Sequence, residues 1–148
     1  MLRTGRFFPE EDDTLRELSG PNLKANEFLN RRLTVEDAAD AHVAALDRAP
    51  ALGFEIFVVS APTPFVRSEA AALRHGAARV IEDHFPDVSS LYAKRGWRLP
   101  TSLDRIYDAG RIERVLGFRC KVDFACILAV LRTGDALPFI HDPTYQSP

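Results

Sequence analysis

The sequence predicts a helix-rich α/β fold with few short strands and an incomplete sheet. Three observations predict it. One stretch near the front, Thr34 to Leu46, carries every local mark of a helix. Strand-like runs are only two or three, short and far apart. No internal repeat or linker divides the 148 residues, a length suited to one domain. Sheets usually hold about four to six strands, so strands this few belong most naturally to a sheet whose other members lie elsewhere.

Taken in order, residues 2 to 8 read as a leading core strand ended by Pro9, followed by a polar connection through Glu10-Glu11-Asp12-Asp13 and a Ser19-Gly20-Pro21 turn. Asn22 to Leu29 is a short helix candidate. Thr34 is a good N-cap for a helix over 35–49: its hydroxyl can accept from the N–H of residue 37, and the Asp37 carboxylate can return to the N–H of residue 34. Glu36, Asp37 and Asp40 suit the positive end of the helix dipole, Arg48 suits the other, and Leu33 is placed to staple against the next turn. Val35, Ala39, His42, Val43 and Leu46 fall on one face at helical spacing, the expected inward face, with His42 expected to be buried and bonded to a neighbour.

Pro50 and Gly53 mark a turn, and Phe54 to Ser60 is β-branched and aromatic enough for a mostly buried strand, closed by Pro62 and Pro64. Ser68 can cap a helix through Arg74. Ala77 to Phe85 and Val88 to Arg95 follow as two more helices. Leu103 to Tyr107 could add a short strand, Asp108 to Leu116 a helix with Gly117 as its cap, and Asp123 caps a last helix to about Leu131. The tail, 133–148, holds three prolines and is expected to be loose.

Composition excludes several classes. A net charge of −2 with both signs interspersed leaves no basic stripe for nucleic acid and no polybasic cluster for an anionic membrane. The longest apolar run, Phe124 to Leu131, falls far short of the roughly 20 residues that span a bilayer, and the N-terminus lacks the apolar core of a signal peptide, so the expected location is cytoplasmic. Cys120 and Cys126 suit neither a zinc pair nor a CxxC, so free, packed thiols are expected. His75, His84 and His141 make no ligand spacing, and for the acidic run Glu10 to Asp13 a solvated loop is favoured over a hard-cation site, so no metal is expected. No Ser or Cys sits in a nucleophile elbow.

Three motifs, in order, carry a resemblance. The segment from Arg31-Arg32 through Thr34-Val35-Glu36-Asp37-Ala38-Ala39-Asp40-Ala41-His42, the stretch Arg105 to Phe118, and the opening Leu2-Arg3-Thr4-Gly5-Arg6-Phe7-Phe8-Pro9 together resemble the C-terminal, substrate-binding portion of the extended short-chain dehydrogenase/reductases, the NAD-dependent epimerase/dehydratase family. The likeness spans roughly residues 2 to 132. It implies the later part of a Rossmann-type protein, with NAD or NADP as the full-length family's cofactor and a nucleotide sugar or related molecule as substrate. By position, the family's substrate contacts fall on Asn22, on Arg31 or Arg32, and on Arg98, with Arg105 near the same edge. Guanidinium forks suit diphosphate oxygens and amides suit sugar hydroxyls. Each residue also has a plainer reading: Asn22 can cap its helix, and the arginines can pair on the surface.

The family's working parts are missing from this stretch. All eight glycines are isolated, so no Gly-rich turn brings a helix N-terminus to a dinucleotide pyrophosphate, and no cofactor is expected on this chain alone. No Tyr is followed four residues later by Lys; Tyr107 is followed by Arg111, a poor proton-relay partner because it stays charged. Phe7 and Phe8 are expected in the core. The sequence thus predicts a substrate-binding portion, inactive alone, whose partner is a missing N-terminal nucleotide-binding half. The alternative is a free-standing binding or assembly module derived from that family, covering its orphan strand by self-association.

Overall fold

The computed structural model describes residues 1–10 and 17–145. Glu11, Asp12 and Asp13 of the acidic run lie outside the described residues. The elements are β1 (Leu2–Thr4), α1 (Gly20–Glu27), α2 (Val35–Leu52), β2 (Phe57–Val59), α3 (Ala70–His84), α4 (Val88–Lys94), α5 (Gly110–Leu116) and α6 (Phe124–Thr133). The fold is α/β and helix-rich. Its sheet is one parallel pair, with Leu2 opposite Phe57 and Thr4 opposite Val59.

Both strands are shorter than the sequence predicts. Beyond Thr4 the chain meets a third extended segment: Arg6 N–H donates to the Arg31 carbonyl at 2.9 Å, Leu33 N–H to the Arg6 carbonyl at 3.0 Å, and Ala61 N–H to the Arg32 carbonyl at 2.8 Å. Residues 31–33 thus bond both to the chain leaving β1 and to the chain leaving β2. Gly5 makes that approach possible, since a Cβ there would lie 2.3 Å from the Arg31 carbonyl oxygen. Phe7 and Phe8 stack at 4.6 Å, but Phe8 is 43% exposed and so is not core.

Two apolar cores result. In the first, Leu33, Ala38 and Ala41 pack with Phe57 and Val59 and with Ile112 and Leu116 of α5, while Leu2 lies half-buried against them. Alternation along a strand places Arg3 and Val58 on the opposite face of the sheet. The second core is helical, joining Phe28 and Leu29 to Leu73 and Ile81 of α3, Tyr92 of α4, and Phe124 and Leu128 of α6.

α2 begins as predicted, with the Thr34 hydroxyl accepting from Asp37 N–H at 3.1 Å, and Leu33 and Ala38 share one cluster as a staple requires. Two expectations fail. The Asp37 carboxylate does not close on residue 34; it accepts from Lys121 N–H at 2.9 Å and Val122 N–H at 3.3 Å, tying the helix start to the segment before α6. The inward face is also different: Asp37, Ala38 and Ala41 are buried, whereas Val35, Val43 and Leu46 are 44%, 59% and 73% exposed. Small residues let α2 lie close to its neighbours, and the larger apolar stripe faces out. His42 is exposed, although its Nδ1 does bond the Ala38 carbonyl at 2.7 Å.

Pro50 falls inside α2 rather than ending it, and Gly53 at φ 62° closes the helix. The two helices expected either side of residue 76 are present within α3, separated by a kink at Gly76 where the backbone leaves helical geometry. Leu103 to Tyr107 forms no strand, being held instead by Leu103 N–H to the Leu73 carbonyl and Tyr107 N–H to the Asn30 carbonyl. Gly117 and Asp123 cap as predicted, Asp123 accepting from Cys126 N–H at 3.0 Å. Part of the tail is packed: Phe139 stacks on Phe28 at 5.7 Å, and Asp142 N–H reaches the Pro9 carbonyl at 2.8 Å.

Candidate functional site

Asparagines recur every fourth residue at positions 22, 26 and 30, which places them along one side of α1 and the turn that continues it. All three bond main chain from a distant segment. Asn22 Nδ2 donates to the Arg98 carbonyl at 3.0 Å while its Oδ1 accepts from Arg98 N–H at 2.9 Å; Asn26 Nδ2 donates to the same carbonyl at 3.0 Å. Asn30 Nδ2 donates to the Arg105 carbonyl at 2.9 Å. Residues 98–105 are thereby clipped alongside α1, leaving a cleft of about 590 Å³ between them.

Three of the predicted arginines, Arg31, Arg98 and Arg105, line this cleft. The other two predicted residues support it from behind. Asn22 is 2% exposed and its amide is occupied by the Arg98 backbone, so it neither caps its helix nor presents itself to a ligand. Arg32 is also 2% exposed, with one guanidinium nitrogen 2.7 Å from Glu27 and another donating to the Phe8 carbonyl. Burial lowers its proton affinity and the Glu27 carboxylate opposes that fall.

Glu27 organises the charged wall. Its carboxylate meets Arg31 and Arg32 at 2.7 Å each and Arg6 at 3.4 Å, with its own side chain only 4% exposed. Arg31 remains 36% exposed on its outer side, held by an anchor that cannot swing away. Of the remaining carboxylates in the lining, Asp104 lies 3.9 Å from Arg74 and Glu17 is exposed. The Arg98 and Arg105 guanidiniums are exposed and have no hydrogen-bond or ion-pair partner among the described residues. The lining includes Thr101 and Ser102 hydroxyls but no His, Cys, Lys or Tyr among the described residues. Such a surface can bind an anion bearing hydroxyl groups, and its ionisable groups are the three arginines and the Glu17, Glu27 and Asp104 carboxylates.

The tyrosines stand elsewhere. Tyr92 is 1% exposed in the helical core, edge-on to Trp97, and burial pushes its hydroxyl above its ordinary range. Tyr107 is half-buried, and Arg111, four residues on, pairs with Glu55 at 2.6 Å. No cluster of three or more metal-ligating side chains occurs among the described residues.

Sequence reasoning missed Asn26, Asn30 and Glu27. The fourfold spacing of asparagines was a visible signal, and Glu27 stands four and five residues before the arginine pair it neutralises. No family model, curated protein or solved structure matches the chain.

Proposed function

We propose that this chain is the substrate-binding portion of an NAD(P)-dependent epimerase/dehydratase-like protein, taking a nucleotide sugar or a related phosphorylated polyol, and inactive without a nucleotide-binding half. The observation that carries this reading is the cleft, which Arg31, Arg98 and Arg105 line together with the Thr101 and Ser102 hydroxyls. Bidentate guanidinium contacts suit a diphosphate, and the Arg98 and Arg105 forks have no ion-pair partner among the described residues. The sheet supports the second part of the proposal. Parallel sheets are normally covered on both faces and extended on their edges, whereas here Arg3 is exposed on the face away from α2 and α5.

The residues present do not fit a dinucleotide. Gly5, which follows β1, is packed against the Arg31 carbonyl, and α1 opens with Pro21 after Gly20, so among the described residues neither glycine forms a strand-to-helix turn that offers free backbone N–H groups to a pyrophosphate. A cofactor belongs to the complementary half in this reading.

Titration with UDP-glucose tests the cleft. Arg98→Ala with Arg105→Ala is expected to weaken binding by about a hundredfold, two charge-assisted contacts at roughly 1.4 kcal/mol each. Unchanged affinity in the double variant defeats the proposal. The second reading, a free-standing assembly module, is favoured by the exposed Val43 and Leu46 stripe of α2. An in-frame GxxGxxG and YxxxK in the upstream coding sequence decides against it.

A further inference from the structure

A second cavity, of about 640 Å³, shares Leu103 and Asp104 with the cleft but opens among different elements, beyond the end of β2. Parallel strands place ligand crevices outside their carboxyl ends. The cavity lies between the loop that leaves β2, the segment leading into α5, and residues 118–120. Pro62 and Pro64 stiffen that loop, so the wall is preformed.

Its floor is apolar and partly aromatic, with Phe65, Leu103 and Ile112 buried and Phe118 half-buried. Cys120 completes the floor; its Sγ donates to the Ser60 carbonyl at 3.3 Å, and burial pushes the thiol up to about 12, so it remains neutral. The volume falls within the roughly 300–1,000 Å³ of small-molecule sites, which are also mostly apolar with few placed polar groups.

Charged groups share the lining. Arg119 pairs with Glu113 at 3.2 Å, and Arg74 stands 3.9 Å from Asp104. Two charged groups are left over. The Arg67 guanidinium has no ion-pair or hydrogen-bond partner among the described residues, and the Asp108 carboxylate accepts from the backbone N–H of Gly110, at 2.8 Å. One spare cation and one spare anion over an aromatic floor call for a ligand carrying both opposite charges on an apolar body.

We infer that this cavity is a binding site for a zwitterionic aromatic molecule, an aromatic α-amino acid by class, with its carboxylate at Arg67, its ammonium at Asp108 and its ring on Phe65 and Phe118. The site is independent of the cleft and of the function proposed for it.

Calorimetric titration of the chain with L-phenylalanine, 3-phenylpropanoate and 2-phenylethylamine tests the inference. L-Phenylalanine is expected to bind, and each singly charged analogue about tenfold more weakly, one lost charge contact. Arg67→Gln and Asp108→Asn should each weaken L-phenylalanine by about tenfold while leaving the far-ultraviolet circular dichroism unchanged, since Asn keeps the acceptor that Gly110 uses. Absence of L-phenylalanine binding at millimolar concentration, equal binding of the analogues, or affinity unmoved by both substitutions overturns it. Arg98→Ala with Arg105→Ala leaves this binding intact, so the two sites fail or stand separately.

Discussion

A carboxylate that is almost wholly buried beneath three guanidiniums sets the behaviour of its surroundings. Glu27 and Arg32 have side chains 4% and 3% exposed. Removing one partner of such a pair leaves the other charge without compensation in a poorly solvated place, which costs about 3–5 kcal/mol. Glu27→Ala is therefore expected to lower unfolding stability by that amount in urea titration; a loss below about 1 kcal/mol would show that Arg32 finds other partners. Arg31→Ala should cost far less, because that side chain is 36% exposed and its pairing is screened by water. The contrast separates two adjacent arginines that the sequence alone could not tell apart. Their difference arises from which way the extended chain at 31–33 faces, a property fixed by its bonds to Arg6 and Ala61.

At the level of elements, α2 depends on its first turn. Thr34 caps it through Asp37 N–H, while both Asp37 carboxylate oxygens accept from the backbone ahead of α6. Asp37→Asn keeps one acceptor and loses the other, leaving one of those backbone groups short of a partner. It is expected to cost about 1–3 kcal/mol and to accelerate hydrogen exchange at Lys121 and Val122. Exchange unchanged at both amides would refute the tie. How much of α2 was legible follows from the same residues. Caps act within a turn, so Thr34, Gly117 and Asp123 could be read directly from sequence. Which side of the helix faces inward depends on the neighbours, and hydrophobic spacing favoured Val43 and Leu46 over the small residues Ala38 and Ala41 that in fact touch α5 and the sheet. Three arginines named from the sequence, Arg31, Arg98 and Arg105, line one cleft. The clip formed by Asn26 and Asn30 was not legible, because it is a contact with backbone more than seventy residues away.

For the molecule as a whole, the two cores are unequal in what they finish. The helical core is closed by four helices, whereas the sheet core rests on two three-residue strands with one face covered. The outward stripe of Val35, Val43 and Leu46 is an exposed apolar surface that invites pairing. The chain is expected to associate as its concentration rises. Val43→Glu with Leu46→Glu should shift sedimentation toward the monomer while altering unfolding stability by no more than about 0.5 kcal/mol each, as befits exposed positions. A monodisperse wild-type chain across that concentration range would contradict the expectation, and a large loss of stability in the variant would place the stripe indoors.

The clip along α1 grips only main-chain atoms of residues 98 and 105. Its hold is therefore indifferent to the exposed side chains between them, Thr101 and Ser102, whereas Leu99 and Leu103 are packed into the helical core. New selectivity can be tried there by exchanging residues one at a time, with the wall staying in place while its chemistry is rewritten. The asparagines leave these two exposed positions replaceable on a fixed frame, a natural starting point for diversification by evolution or by library design.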